Sequence, residues 1–545
     1  MTQPDGREGG TDEAIDLVVA GSGAAGLTGA VTAALSGLRV CVLEKTTLLG
    51  GTTSKSGGAV WIPCNHHMPE VGVDDTPQDA LDYLRACSGT EADDRHLVAL
   101  ATHGAAMIRR LEADAGLRFR PWPAEGPTYD YRPWLPGARH GGRALMPART
   151  SMEELGYMAD AIRTDPYSVW TSDPLDYYVN RDHLRPPAAQ PAVPAQPDAR
   201  ATYGRGTALV AQLTRACLRH DVEFRMASAV EQLVVESGSV VGVRTATGTL
   251  RARRGVLMAT GGYSHNAELL RHWIARPLVD SCEAGANQGD GHLAALRVGA
   301  QLSGLGDAWW MPRTPQPAGP GDANIGGSKD DRVLPHVIVV NAAGRRFMNE
   351  AVNYYDAGEA FGLRAGAAGR NFPAWMIFDQ QGVQKYAVLA SKAAMAGVSV
   401  EVVSGQTLED LARSAGIYAE GLRRTVTRFN GFARAGVDED FGRGGNDWDR
   451  GWGDPGNAPN PSLGSLEASP FFAVPLYPGA LATRGGLCVD ERARVLSVDG
   501  TPIEGLYAAG NCSSGGPTGS YPGPGATLGA AMTFGYLAAM DAAST

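Results

Sequence analysis

The opening of the chain constrains its fold more than any other segment. Asp16-Leu17-Val18-Val19-Ala20 is an apolar strand pattern that runs into Gly21-Ser22-Gly23-Ala24-Ala25-Gly26. A helical stretch follows, and a second strand pattern beginning at Leu38 ends at Glu44. Strand, glycine turn, helix, strand and acid is the start of a dinucleotide-binding fold. Gly21 permits the sharp turn, Gly23 admits backbone close to a pyrophosphate, and Gly26 lets the helix pack on the sheet. The helix N-terminus favours the anion. Glu44, 18 residues after Gly26, stands where a ribose-binding acid belongs. Ser22, Ala24 and Ala25 complete this set of expected cofactor contacts.

A second glycine and hydroxyl run identifies the dinucleotide. Lys45, Gly50, Gly51, Thr52, Thr53, Ser56, Gly57 and Gly58 follow directly, more than a nicotinamide enzyme of this type needs. The run resembles flavoproteins of the succinate dehydrogenase and fumarate reductase superfamily, and the resemblance implies noncovalent FAD. In those proteins a buried strand returns the chain to the cofactor, and here Val256-Leu-Met258 leads into Ala259-Thr260-Gly261-Gly262. By the same resemblance Ala229 and Val230 touch the adenine through their backbone. Near the end, an apolar strand stops at Gly510-Asn511, and Tyr521-Pro522-Gly523-Pro524-Gly525-Ala526-Thr527-Leu528 opens a last apolar helix. Its N-terminus would stabilise negative charge on a reduced flavin.

Cofactor contacts at both ends imply a discontinuous domain. The expected architecture is α/β: a Rossmann-like FAD-binding domain at 1–306 and 482–545, with an inserted α+β catalytic, or capping, domain at 307–481. At 545 residues the chain is long enough for both. Gly and Pro number 71 and 34, yet 43% of residues are apolar, which points to many turns rather than disorder. A Pro/Ala-rich stretch at 184–200 reads as an extended excursion.

The formal charge of -10 argues against nucleic acid or an anionic membrane as partner. Seven scattered cysteines without a C-x-x-C pair suit a reducing compartment. The polar start, Met1 to Glu13, lacks a signal pattern, and no transmembrane span is visible, so a cytoplasmic location is expected.

Several local elements are legible. Thr76-Pro77 and Thr407 read as helix N-caps, and helical periodicity also runs from about His96 to Ala115. Strands are expected around Val222–Phe224, Ala229–Val235 and Val240–Arg244, and strand, turn, strand and loop over Val337–Asp356.

The chain as a whole resembles the 3-ketosteroid Δ1-dehydrogenases, which place a double bond between C1 and C2 of a 3-oxosteroid. The matching pieces are Asp307-Ala308-Trp309-Trp310, the run from Asn349-Glu350 to Tyr354, Asp440-Phe-Gly-Arg-Gly444, Tyr477-Pro478-Gly479 with Thr483-Arg484-Gly485-Gly486, and Tyr521-Pro522-Gly523-Pro524-Gly525. The chemistry needs a polarised carbonyl, a base for the C2 proton and a hydride acceptor at C1. The resemblance implies that the Tyr521 hydroxyl and the Gly525 amide clamp the 3-oxo group. It also implies that Tyr354 removes the proton, with help from Tyr131 in Asp130-Tyr131-Arg132-Pro133. Tyr355 beside Tyr354, and Tyr129 beside Tyr131, offer the same hydroxyl one or two positions away. A phenol of ordinary pKa is a poor base at neutral pH, so a relay or a neighbouring dipole is required.

The chain departs from the family at Pro517-Thr518-Gly519-Ser520, where many members carry a Met-Gly-His-Thr-like stretch. Around the Pro/Ala run, Tyr167, Trp170, Tyr177 and Tyr178 either line an apolar entrance or seal a surface helix. Both features leave the ring system of the ketone open. His66-His67 reads as structural or surface, because no partner ligands stand at metal spacing, and no metal is expected. Without a second nicotinamide fingerprint, the expected electron acceptor is a quinone. Three alternatives remain at this level: a fumarate-reductase-like enzyme or a relative of the 4-ene-forming steroid dehydrogenases, either acting as a flavin desaturase or ene-reductase on a non-steroid substrate, and a flavin-binding scaffold without catalysis.

Overall fold

The computed structural model describes residues 15–89, 92–123, 130–164, 184, 202–274, 278–315, 325–327, 329–361, 371–397, 399, 401–517 and 520–545. Tyr129, Tyr167, Trp170, Tyr177, Tyr178, Thr518, Gly519 and residues 185–200 of the Pro/Ala-rich stretch lie outside them.

The largest sheet grows from the fingerprint strand. Ile15–Ala20 is buried at every position, as expected of an apolar run covered on both faces. It pairs in parallel with Val40–Leu43 on one side and Gly248–Met258 on the other. Glu223–Arg225 and Pro502–Ala508 extend the two flanks, also in parallel. One sheet thus takes strands from the beginning, middle and end of the chain.

Two helices lock these ends together. Ala24–Leu35 and Ala526–Ser544 are mostly buried and pack on each other. Small residues allow the approach: a Cβ on Gly535 would stand 2.3 Å from the Ala25 carbonyl oxygen. Any larger side chain there would force the helices apart.

A second sheet lies within the expected insertion. Its four antiparallel strands run in the order Val337–Asn341, Ala374–Asp379, Phe471–Leu476, Val403–Gly405. The period-2 alternation of strands sorts its faces. Ile338, Val340 and Ile377 pack with Leu411, Leu422 and Phe429 from helices Leu408–Ala415 and Ala419–Ala435. Val337, Val339, Met376 and Phe378 instead join the cluster that holds Trp309, Tyr354 and Tyr521. Between the sheets, Leu302–Trp310 pairs antiparallel with Gly479–Leu487. The sequence boundaries at 306/307 and 481/482 both fall within this strand pair.

Local expectations fare unevenly. Thr76 and Thr407 cap their helices by accepting from the Asp79 and Asp410 amides, and the long helix spans Asp94–Ala113. The strand expected from Ala229 begins only at Gln232, because Ala227 and Ser228 donate backbone hydrogen bonds to Thr46 and Glu44 and hold that stretch as a loop. The second strand expected after Val337–Asn341 shrinks to a single bridge at Arg346. There the Arg346 guanidinium is buried in ion pairs with Glu350 and Asp438, which favours a folded-back loop over an extended one. All seven cysteines are unpaired. Among the described residues, no helix is long and apolar enough to cross a membrane.

Candidate active site

The two glycine runs are stitched into one cradle by short polar contacts. Glu44 Oε2 accepts from the Ser22 hydroxyl at 2.5 Å and from the Ser22 amide at 3.3 Å, while Oε1 accepts from the Thr46 amide at 2.8 Å. Ser22 Oγ in turn accepts from the Gly50 amide at 2.9 Å, and Thr53 Oγ1 accepts from the Ala24 amide at 2.9 Å. Gly21 has φ +108, and a Cβ there would lie 2.3 Å from the Ala259 carbonyl oxygen. The turn therefore needs glycine both for its conformation and for its contact with the returning Ala259-Thr260 segment.

Other expected contacts converge on the same surface. The Ser228 amide donates to the Glu44 carbonyl at 2.8 Å, which brings Ala229 and Val230 beside the acid. Thr52 Oγ1 accepts from the Ala284 amide, and the Gly262 amide donates to the buried Glu283 carboxylate. The Lys45 ammonium is bonded to Asp290 at 2.8 Å and to the Ala286 carbonyl. Beneath the returning segment, His292 packs edge-on to Tyr263, and burial pushes its pKa down to about 4.

These residues fit FAD. A Cβ on Gly51 or Gly57 would meet no atom within 4 Å, so that face of the second run is left open. A cavity of 540 Å³ is lined by Gly510 and Asn511 together with Ala526, Thr527, Trp309 and Arg484.

Three tyrosines meet beside two residues that line this cavity, Trp309 and Thr527, both in contact with Tyr521. Ring centroids of Tyr131 and Tyr354 are 5.2 Å apart, Tyr354 and Tyr521 5.2 Å, and Tyr131 and Tyr521 5.6 Å. Edge-on contacts from Trp309 to Tyr521 and from Trp448 to Tyr131 close the cluster. Such aromatic pairs contribute roughly 0.5–1.5 kcal/mol each beyond their buried area. Tyr355 faces elsewhere, its hydroxyl accepting from Arg484.

The chain holds this trio by contacts between its own neighbours. The Tyr131 amide donates to the Pro522 carbonyl at 2.9 Å, and Tyr83 donates its hydroxyl to the same oxygen. Arg132 pairs with Asp356 at 2.7 Å, joining the Tyr131 loop to the short helix that Tyr354 begins. Asp130 accepts from Trp61 Nε1 and from the buried Arg143, which also grips Asp75. Tyr83, Arg132, Arg143 and Asp356 were not singled out from the sequence. Arg132 lies inside the Asp-Tyr-Arg-Pro segment and is the one that local pattern could have flagged.

The electrostatics differ from those of an activated phenol. Burial raises the Tyr354 hydroxyl well above its ordinary value, with Tyr131 and Tyr521 adding to the effect, and burial also raises Tyr521. Tyr354 is therefore protonated at neutral pH in the free protein. The Tyr521 hydroxyl lies 3.1 Å from Thr527 Oγ1 on the last helix. Gly525, at φ +89, caps that helix, and a Cβ there would stand 2.1 Å from the Ala59 carbonyl oxygen.

Residues 16–528 match the FAD binding domain family. The chain is 38% identical over 571 residues to the 3-oxosteroid 1-dehydrogenase of Mycolicibacterium smegmatis, covering 98% of each. This chain belongs to the FAD-binding flavoenzyme family that includes the 3-ketosteroid Δ1-dehydrogenases. It is an FAD-dependent oxidoreductase. The same fold appears in the crystal structure of 3-ketosteroid Δ1-dehydrogenase from Sterolibacterium denitrificans in complex with 1,4-androstadiene-3,17-dione, at TM-score 0.86 and 32% identity, covering 97% of this chain and 99% of that one. A further relative is 4-oxocyclohexanecarboxylate 2-dehydrogenase of Sinomonas cyclohexanicum, 40% identical over 543 residues, covering 96% of this chain and 92% of that protein.

Proposed function

We propose that this enzyme desaturates the bond next to a ring ketone, as a 3-oxosteroid 1-dehydrogenase does, on a 3-oxosteroid or a similar fused-ring ketone. The observation that carries the reading is the meeting of Tyr131, Tyr354 and Tyr521 beside the start of the last helix, where the Tyr521 hydroxyl lies 3.1 Å from Thr527 Oγ1. In this reading Tyr521 Oη and the Gly525 N–H donate to the ketone oxygen and stabilise the enolate charge that grows on it. Tyr354 accepts the C2 proton. Because burial keeps its phenol protonated, its own proton must first leave, and Tyr131 is the neighbour placed to relay it, receiving that proton as it passes its own on toward solvent. The chemistry that FAD supplies when bound is acceptance of a hydride from C1.

The architecture proposed around this site is a discontinuous, Rossmann-like FAD domain, residues 1–306 and 482–545, capped by an α+β domain at 307–481. The face of the inserted sheet bearing Val337 and Met376 shares its apolar cluster with Tyr354 and Tyr521, which supports a cleft between the two parts. Noncovalent FAD, a quinone acceptor and a cytoplasmic location complete the proposal.

A second reading has its own support. The 40% identity to a dehydrogenase named for an oxocyclohexane carboxylate makes a monocyclic ketone a candidate substrate. One experiment tests both. The purified flavoprotein is mixed anaerobically with a 3-oxosteroid or with 4-oxocyclohexanecarboxylate, and flavin bleaching is followed in a single turnover. Bleaching by the steroid supports the first reading, and bleaching by the monocyclic ketone alone supports the second. A spectrum unchanged by either rejects desaturation of these ketones.

A further inference from the structure

His66 and His67 acquire a third partner that sequence spacing did not show. The long helix Asp94–Ala113 brings Glu112 against them, so that His66 Nε2 and His67 Nε2 each lie 2.8 Å from the same Glu112 oxygen, Oε2. The imidazole rings are not splayed as on a strand; they sit side by side, centroids 4.1 Å apart and tilted by 35°. The reason is local: a turn held by Asn65, whose side chain accepts from the His67 amide and donates to the Ile62 and Gly142 carbonyls, points both rings one way.

The contacts behind these atoms orient them toward one another. His67 Nδ1 lies 2.7 Å from Glu70 Oε1. When Nδ1 donates to that carboxylate, a neutral ring turns the lone pair of Nε2 toward Glu112, and two Lewis bases then face each other. Only a proton or a cation between them relieves the repulsion. Glu112 is oriented too, since its other oxygen accepts from the Phe119 amide at 3.1 Å. A carboxylate behind a histidine ligand and an amide behind a carboxylate ligand are what orient metal donors.

We propose that His66, His67 and Glu112 bind a divalent transition-metal ion of the zinc class, with water completing its coordination. Tetrahedral coordination at ordinary zinc distances places donor atoms about 3.4 Å apart, so each Nε2 would need to move back by about half an ångström. The partly exposed His66 ring can move, and it leaves a solvent-facing position for water. Two neutral imidazoles, Glu112 and Glu70 also outweigh the positive charge of Arg109 nearby. The site would tie the segment after Trp61 to the long helix. Because Trp61 donates to Asp130, next to Tyr131, such a clip would brace one wall of the aromatic cluster.

The flavoprotein, stripped with chelator and titrated with Co²⁺, is expected to take up one equivalent with visible d–d bands to the red of the flavin. Glu70→Gln should weaken binding by about 10–100-fold, and His67→Ala with Glu112→Gln should abolish the bands. His66→Gln, on the exposed side, is the variant least able to disturb folding, and it too should lose stoichiometric binding while keeping its flavin. Absence of the bands in the stripped protein, or bands unchanged in the His66→Gln variant, overturns the proposal.

Discussion

The cradle and the tyrosine cluster are built by opposite means. The cradle relies on backbone: glycines that permit close approach, amides that point at small acceptors, and a carboxylate closed down on Ser22. The cluster relies on side chains, brought by three distant stretches into a dry, uncharged packet. Its position is kept by contacts within two residues of each catalytic candidate, such as Arg132 with Asp356 and the Tyr131 amide with Pro522. A backbone device writes itself into short sequence patterns, whereas a packed side-chain device exists only after folding. The two should therefore fail differently, one through loss of cofactor and the other through loss of rate with cofactor retained.

The largest effect is expected in the cluster. Tyr354→Phe should slow single-turnover flavin reduction by about 10²–10⁴-fold, the range for a lost general base. Tyr521→Phe should slow it by about 10²–10³-fold, as for a lost oxyanion donor. Both should purify with full flavin. Tyr355→Phe, whose hydroxyl faces Arg484, should reduce its flavin at nearly the parent rate; a severe loss there would reassign the base. The pH profile follows from the same burial. A phenol held well above its ordinary value is almost wholly protonated at neutral pH, so the rate should climb with pH through the neutral and alkaline range. Tyr354→Phe should flatten that climb.

Arg132→Ala tests whether position alone matters. Arg132 is not expected to touch substrate, yet removing its bond to Asp356 frees both tyrosine loops. A displacement of about 1 Å in such a site can cost as much as 10²-fold. The expected outcome is a slower reduction step with ordinary flavin content, partly rescued in Arg132→Lys.

Gly21→Ala is the matching test of the cradle. A Cβ 2.3 Å from the Ala259 carbonyl oxygen, at φ +108, cannot be accommodated without moving the turn. Strain of this kind costs about 1–3 kcal/mol. The flavin-to-protein ratio should collapse while the trace that still binds FAD reacts normally. A variant that keeps its flavin but loses rate would erase the distinction between the two regions.

How much was readable follows the same division. The Gly21–Gly26 turn, Glu44 and the return at Thr260 to Gly262 each obey a backbone rule of short range, and all fall in one cradle. The choice between Tyr354 and Tyr355 was not readable, because a one-residue rotation on a short helix decides which ring meets Tyr131. The second strand expected after Val337–Asn341 was misread because the ion pair of Arg346 with Asp438 that folds this stretch back closes across 92 positions. Glu112 escaped for the same reason, since only the packing of its helix brings it to His66 and His67.

The smallest expected effect lies under the cradle, where burial holds His292 neutral with a pKa of about 4. The unfolded ring titrates near 6.5, so at pH values above that both states are neutral and the group is silent. As the pH falls from about 6.5 toward 4, the unfolded state binds a proton that the folded state resists, and stability is lost by up to ~3 kcal/mol. His292→Gln removes the titrating group and should flatten this acid limb in urea unfolding monitored through the flavin. The aromatic cluster contains no group titrating in that window, so Tyr131→Phe should leave the same limb unchanged. If it did not, acid would be acting on the two regions through a shared element, and their separation would have to be redrawn.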